Sequence, residues 1–96
     1  MNIGIVQIHL RLPENMDLKG KRQVLKSIIA GLRNRFNVSV AEVADNDLWQ
    51  LATIAVVAVS NDQRFTNEVL SKAVNYVENG RFEMEMLDYE IEIIPL

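Results

Sequence analysis

The apolar residues of this chain switch repeatedly between two periods, and the order of the switches leaves few folds open. From Ile3 to Leu12 they alternate, with Val6, Ile8, Leu10 and Leu12 on one side and Gln7, His9 and Arg11 on the other. Strand side chains point to opposite faces in turn, so this segment reads as a half-buried strand. From about Leu18 to Phe36 the spacing lengthens to three or four residues, through Leu18, Leu25, Ile28, Ile29, Leu32 and Phe36, which is a helix stripe. Two strand-like segments follow, Val38 to Val43 and Leu51 to Ser60. The polar turn between them, Ala44 to Gln50, carries the only tryptophan. A second helical repeat then runs through Phe65, Val69, Leu70, Ala73, Val74 and Val77.

The final segment returns to alternation but slips phase. Phe82, Met84 and Met86 occupy even positions, whereas Leu87, Tyr89, Ile91 and Ile93 occupy odd ones. One extra residue near Met86 and Leu87 keeps both sets on the core side, so a β-bulge is expected there. The punctuation agrees with the periods. Asp17 can cap the first helix and Asn37 can close it in a left-handed conformation, Val59-Ser60-Asn61-Asp62 reads as a strand end followed by the cap of the second helix, and Asn79-Gly80 can stop it. The order β-α-β-β-α-β predicts one α+β domain over residues 1–96, a ferredoxin-like sandwich. It has a four-stranded antiparallel sheet with both helices on one face. In that fold the first and third strands are central and the fourth lies beside the first.

Composition narrows the chemistry. There is no cysteine, so disulfides, thiolate metal sites and cysteine nucleophiles are excluded. The longest apolar run, Ile54 to Val59, is far too short to cross a membrane, and no leader-like segment opens the chain. A soluble cytoplasmic protein is the expectation. No metal, cofactor or catalytic constellation is evident. His9 stands in a strand with no serine, cysteine or second histidine to make a triad and is expected to have a surface or structural role. The stretch Val6-Gln7 with Arg11 resembles acylphosphatases, which share this fold and bind phosphate after their first strand, but Ile8, His9 and Leu10 provide no glycine-rich phosphate cradle. Asp45 and Asp47 are spaced like the start of a calcium loop, yet Gln50 and Val56 stand where its glycine and glutamate belong. Trp49 is expected to pack against the hairpin end.

Charge is the most informative functional feature. Of ten basic residues, six lie between Leu18 and Phe36, a stretch without any acid: Lys19, Lys21, Arg22, Lys26, Arg33 and Arg35. The other four stand against thirteen acids, a formal −9 in a molecule of net −3. At 100° per residue, Lys19, Arg22, Lys26 and Arg33 share an arc of about 60° beside the apolar stripe. Lys19, Lys21 and Arg22 also occupy the first turn and a half, where the helix dipole disfavours cations by about 0.3–1 kcal/mol each. A solvated face, its charges paired with Glu14, Asp17 or the acidic last strand, accounts for such a run without a ligand. Phosphate held by the helix N-terminus and these side chains accounts for it with one.

Three stretches, LKGKRQVLKS (18–27), RFNVSVAEV (35–43) and DLWQ (47–50), followed by VSND (59–62), resemble the YlxP-like family of small bacterial proteins, a domain-of-unknown-function family. The resemblance implies a ferredoxin-like fold. It also implies a gene neighbourhood among translation initiation and ribosome maturation factors, and hence a role near RNA or the ribosome. It brings no catalytic residue. The family's usual serine and glutamate of a capping box are Asp17 and Gly20 here. On that reading Gly20→Glu is expected to stabilise by about 0.5–2 kcal/mol.

The open face of the sheet is expected to be a poor base-stacking platform. Its first strand offers Gln7, His9 and Arg11, and its last offers Asp88, Glu90 and Glu92. The third strand is apolar on both faces, which is explained either by a second copy covering that side, the expectation here, or by tolerance of its small Ala and Val side chains. The expectation is therefore a non-enzymatic protein that binds RNA or a ribosomal particle, without a membrane partner, through Lys19, Lys21, Arg22, Lys26 and Arg33. The alternative is a dimeric protein-interaction or small-molecule-binding module with no nucleic-acid role.

Overall fold

The computed structural model describes residues 1–96 and has the anticipated order. β1 spans Asn2–Arg11, α1 Leu18–Arg35, β2 Ser39–Ala44, β3 Leu51–Ser60, α2 Gln63–Asn79 and β4 Glu85–Pro95. The strands form one antiparallel sheet in the order β2-β3-β1-β4. Both helices lie on one face, α1 over β2 and α2 over β1, β3 and β4. This is the ferredoxin-like sandwich.

Register decides which side of each strand is buried. Val6 pairs with Val56 and Ile8 with Ile54, so the even residues of β1 and β3 face the helices together. Val6, Ile8, Leu10, Ile54 and Val56 are fully buried there with Ile28 and Leu32 of α1 and Leu70, Ala73 and Val77 of α2. The third strand's ambiguity is thereby resolved. Its core set is Ala52, Ile54, Val56 and Ala58, and its open-face set is Leu51, Thr53, Ala55, Val57 and Val59. The bulge is in β4, where Met86 pairs with Leu10 and Asp88 with His9, leaving Leu87 unpaired and about half exposed. The phase break thus puts Met86 and Ile91 against the core from opposite parities.

The caps are mostly as anticipated. The Asp17 carboxylate accepts from the Gly20 amide at 2.7 Å, and the Asp62 carboxylate accepts from Arg64 and Phe65. Asn37 does not close α1 in a left-handed turn. The chain leaves the helix extended at Phe36, and Asp45 is the only non-glycine residue with positive φ. The first helix ends where Phe36 turns inward against Tyr76, their rings edge-on at 6.3 Å, so packing rather than a backbone motif stops it.

Candidate anion-binding surface on the first helix

The six cations of α1 do not share one fate. Lys21 is 1% exposed. Its ammonium donates to the carbonyls of Asp45 at 2.6 Å and Leu48 at 2.8 Å, approaches that of Asn46 at 3.4 Å, and pairs with Glu42 Oε2 at 2.8 Å. A cation so enclosed is a counterion for the protein itself, and the expectation that Lys21 contacts phosphate is corrected. The signal lay in the spacing. Residues 21, 25, 28 and 32 form the buried stripe of α1, so Lys21 occupies a core position. Glu42 likewise sits two residues beyond buried Val40, on the inward side of β2. Two opposite charges at inward positions of neighbouring elements announce a buried pair.

The remaining cations stay outside. Lys19, Arg22, Lys26, Arg33 and Arg35 are exposed, and none has a carboxylate within 4.0 Å; the only ion pairs are Lys21–Glu42, Lys72–Glu68, Arg11–Glu85 and the contact between His9 and Asp88. Pairing with Glu14, Asp17 or the last strand, which would have explained the run without a ligand, does not occur. Arg22, Lys26 and Arg33 rim an open groove of about 530 Å³ between α1 and the edge strand β2, floored by Leu25, Ile29 and Val40. Arg33 is fixed there by donating to the Val40 carbonyl at 2.9 Å. Arg35 is turned away, its guanidinium 4.7 Å above the Tyr76 ring. Glu42 also borders the groove, but Lys21 neutralises it from behind. The buried lysine therefore keeps an acid from opposing the ridge.

The hairpin loop after β2 is tied to the start of α1. Besides the Lys21 bonds, Asn15 Nδ2 donates to the carbonyls of Asp17 at 2.6 Å and Trp49 at 2.7 Å, and the Leu12 amide donates to Gln50 at 2.8 Å. A Cβ on Gly20 would collide with the Asn15 side-chain oxygen. Gly20 is thus a place of close approach, not an unfilled capping-box position. Trp49 also departs from expectation. It is 53% exposed, and the loop is held through its backbone, with the indole left in solvent beside Leu48 and Leu51.

His9 takes part in a chain of polar contacts on the open face of the sheet. The Thr53 hydroxyl donates to Asp45 Oδ2 at 2.9 Å, which leaves His9 Nδ1 to donate to the Thr53 oxygen at 3.1 Å. The other ring nitrogen lies 3.7 Å from Asp88. This chain of polar groups fastens β1 to its neighbours across the open face. Asp88, Glu90 and Glu92 lie on that face opposite His9, Gln7 and Ile5, so the acidic edge is where the alternation placed it.

Comparison with known proteins adds family and fold. Residues 3–91 match the family described as "Protein of unknown function (DUF503)". The chain is 31% identical over 77 residues to the uncharacterized protein YlxP of Bacillus subtilis (strain 168), covering 80% of this chain and 84% of that one. Among solved structures it is similar to the de novo designed protein Foldit4, with TM-score 0.52 and 11% identity over 98% of both chains. At that identity the likeness concerns fold alone.

Proposed function

The chain belongs to the DUF503 family, and for this member we propose that it is a non-catalytic RNA-binding protein that acts near the ribosome, meeting phosphates along the α1–β2 groove. The observation that carries this reading is the set of exposed α1 cations without acid partners. A surface that had gathered positive charge only for solubility gains most by pairing it with the abundant acids elsewhere. Here the one acid that lines the groove, Glu42, is instead occupied by a buried lysine. Lys19, Arg22, Lys26 and Arg33 are the contacts, and Lys21 acts through Glu42. An arginine ridge with an apolar floor suits the backbone and sugar edges of a single strand more than base-specific readout.

Binding of ribosomal RNA fragments by alanine variants tests this. Arg22→Ala, Lys26→Ala and Arg33→Ala should each weaken binding nearly equally for all sequences and flatten the dependence on log salt by about one unit. Arg81→Ala and Lys72→Ala, away from the groove, serve as controls and should change little. Triple alanine replacement at 22, 26 and 33 with unchanged binding would reject the reading in favour of an acidic protein partner.

A further inference from the structure

The opposite face of the sheet carries a second, independent surface. On its central strands Ile3 and Ile5 of β1 stand beside Val59 and Val57 of β3, with Ala55 next along, and no helix covers them. Val59 is 60% exposed. A strand pair open to water should alternate polar residues outward, and this one does so only at Gln7, His9, Arg11 and Thr53. We infer that a second copy of this chain covers this face, with the two-fold axis running along the strands between β1 and β3.

Charge selects that axis. An axis across the strands would lay β4 on β4 and bring Glu90 and Glu92 of each copy against the same row of the other. An axis along the strands lays β4 on β2 instead. Ser39 and Ala41 of β2 share the sheet level of Glu92 and Glu90, through Val57 and Ile5 in one case and Ala55 and Gln7 in the other. The acidic row then meets a hydroxyl and a methyl instead of another acid. The same axis lays β1 on β3, so Ile3 and Ile5 meet Val59 and Val57 across the interface. The inclination of packed sheets, about 30°, displaces the outer rows by roughly one residue and leaves the central pairs in place. Area is sufficient. Three strands about 33 Å long and the shorter β2, six residues or about 20 Å, spaced about 4.8 Å apart, give a flat face of roughly 570 Å², before side-chain relief is added. A standard interface covers about 800 Å² per partner.

Light scattering across micromolar concentrations should give twice the 10.9 kDa chain mass. A monomer mass throughout would leave the face to another partner or to none, and overturns the inference. Orientation is read from exposed Ala41, whose replacement leaves the core untouched. Ala41→Arg, placed over the partner's acidic row, should tighten the dimer by about tenfold, and Ala41→Glu should loosen it comparably. Equal dimer constants for the two variants would overturn the proposed axis. Ile5→Lys and Val57→Glu should each give monomers, and an equimolar mixture of the two should recover dimer mass. Should either fail to fold by circular dichroism, the wild-type mass and the Ala41 pair still decide. Ile5 and Val57 do not line the α1 groove; Ala41 does, so its variants are read by dimer mass in the absence of RNA, which keeps the outcome independent of RNA binding.

Discussion

Lys21 sets the behaviour of everything around it. Three peptide carbonyls and a carboxylate converge on its ammonium, and removal would leave Glu42 without a partner in a site that is four-fifths closed, its side chain 19% exposed. Breaking a buried pair from one side costs about 3–5 kcal/mol, and the partial exposure of Glu42 favours the lower end. Lys21→Met should therefore lower stability by about 3 kcal/mol in urea unfolding. Adding Glu42→Leu should recover only part of the loss, because the carbonyls of Asp45 and Leu48 remain unpaired. Full recovery would mean that the loop bonds contribute nothing. Gly20 is the other decisive residue. Gly20→Ala, which adds only the Cβ that Asn15 blocks, should lower the melting temperature, with overpacking of this kind costing about 1–3 kcal/mol. Gly20→Glu should do so too, reversing the stabilisation that capping alone implies. An unchanged or higher melting temperature for both would show that Asn15 yields freely.

At the scale of elements, the periods were legible and the exceptions had physical causes. Alternation located the inward residues of β1, and the slip between Met86 and Leu87 marked the bulge, because both are properties of a strand on its own. What sequence hid depended on two elements meeting. Lys21 looked like one more cation of a basic helix until β2 brought Glu42 and the hairpin carbonyls to it. Trp49 looked like a packing residue, but its loop spends its contacts through backbone groups of Asp45, Leu48 and Trp49 itself. Of the five expected anion contacts, four lie outside and three of these line one groove. The bulge gives its own test. Deleting Leu87 keeps Met86 opposite Leu10 and Asp88 opposite His9, so the ladder survives. Its stability should change by less than about 1 kcal/mol, a shift in melting temperature below about 4–8 °C. Deleting Glu90 absorbs the bulge while turning Asp88 inward in place of Tyr89, and should cost about 2 kcal/mol or more. Equal effects from the two deletions would contradict the register.

For the whole molecule, the two faces are divided by chemistry. The helical side presents a cationic groove bordered by the edge strand β2, and the sheet side presents an apolar centre with an acidic margin along β4. That margin disfavours a phosphate backbone on the sheet, so the proposed RNA site belongs to the helical side even though net charge is −3. The measurement that tests this most directly is the affinity of the wild-type protein for single-stranded ribosomal RNA fragments as a function of salt. Three or four phosphate contacts on a single strand predict a slope of about −2 to −3 in log K against log salt, falling toward zero when Arg22, Lys26 and Arg33 are all alanine. A wild-type slope near zero, or the same slope in the triple variant, would contradict the account.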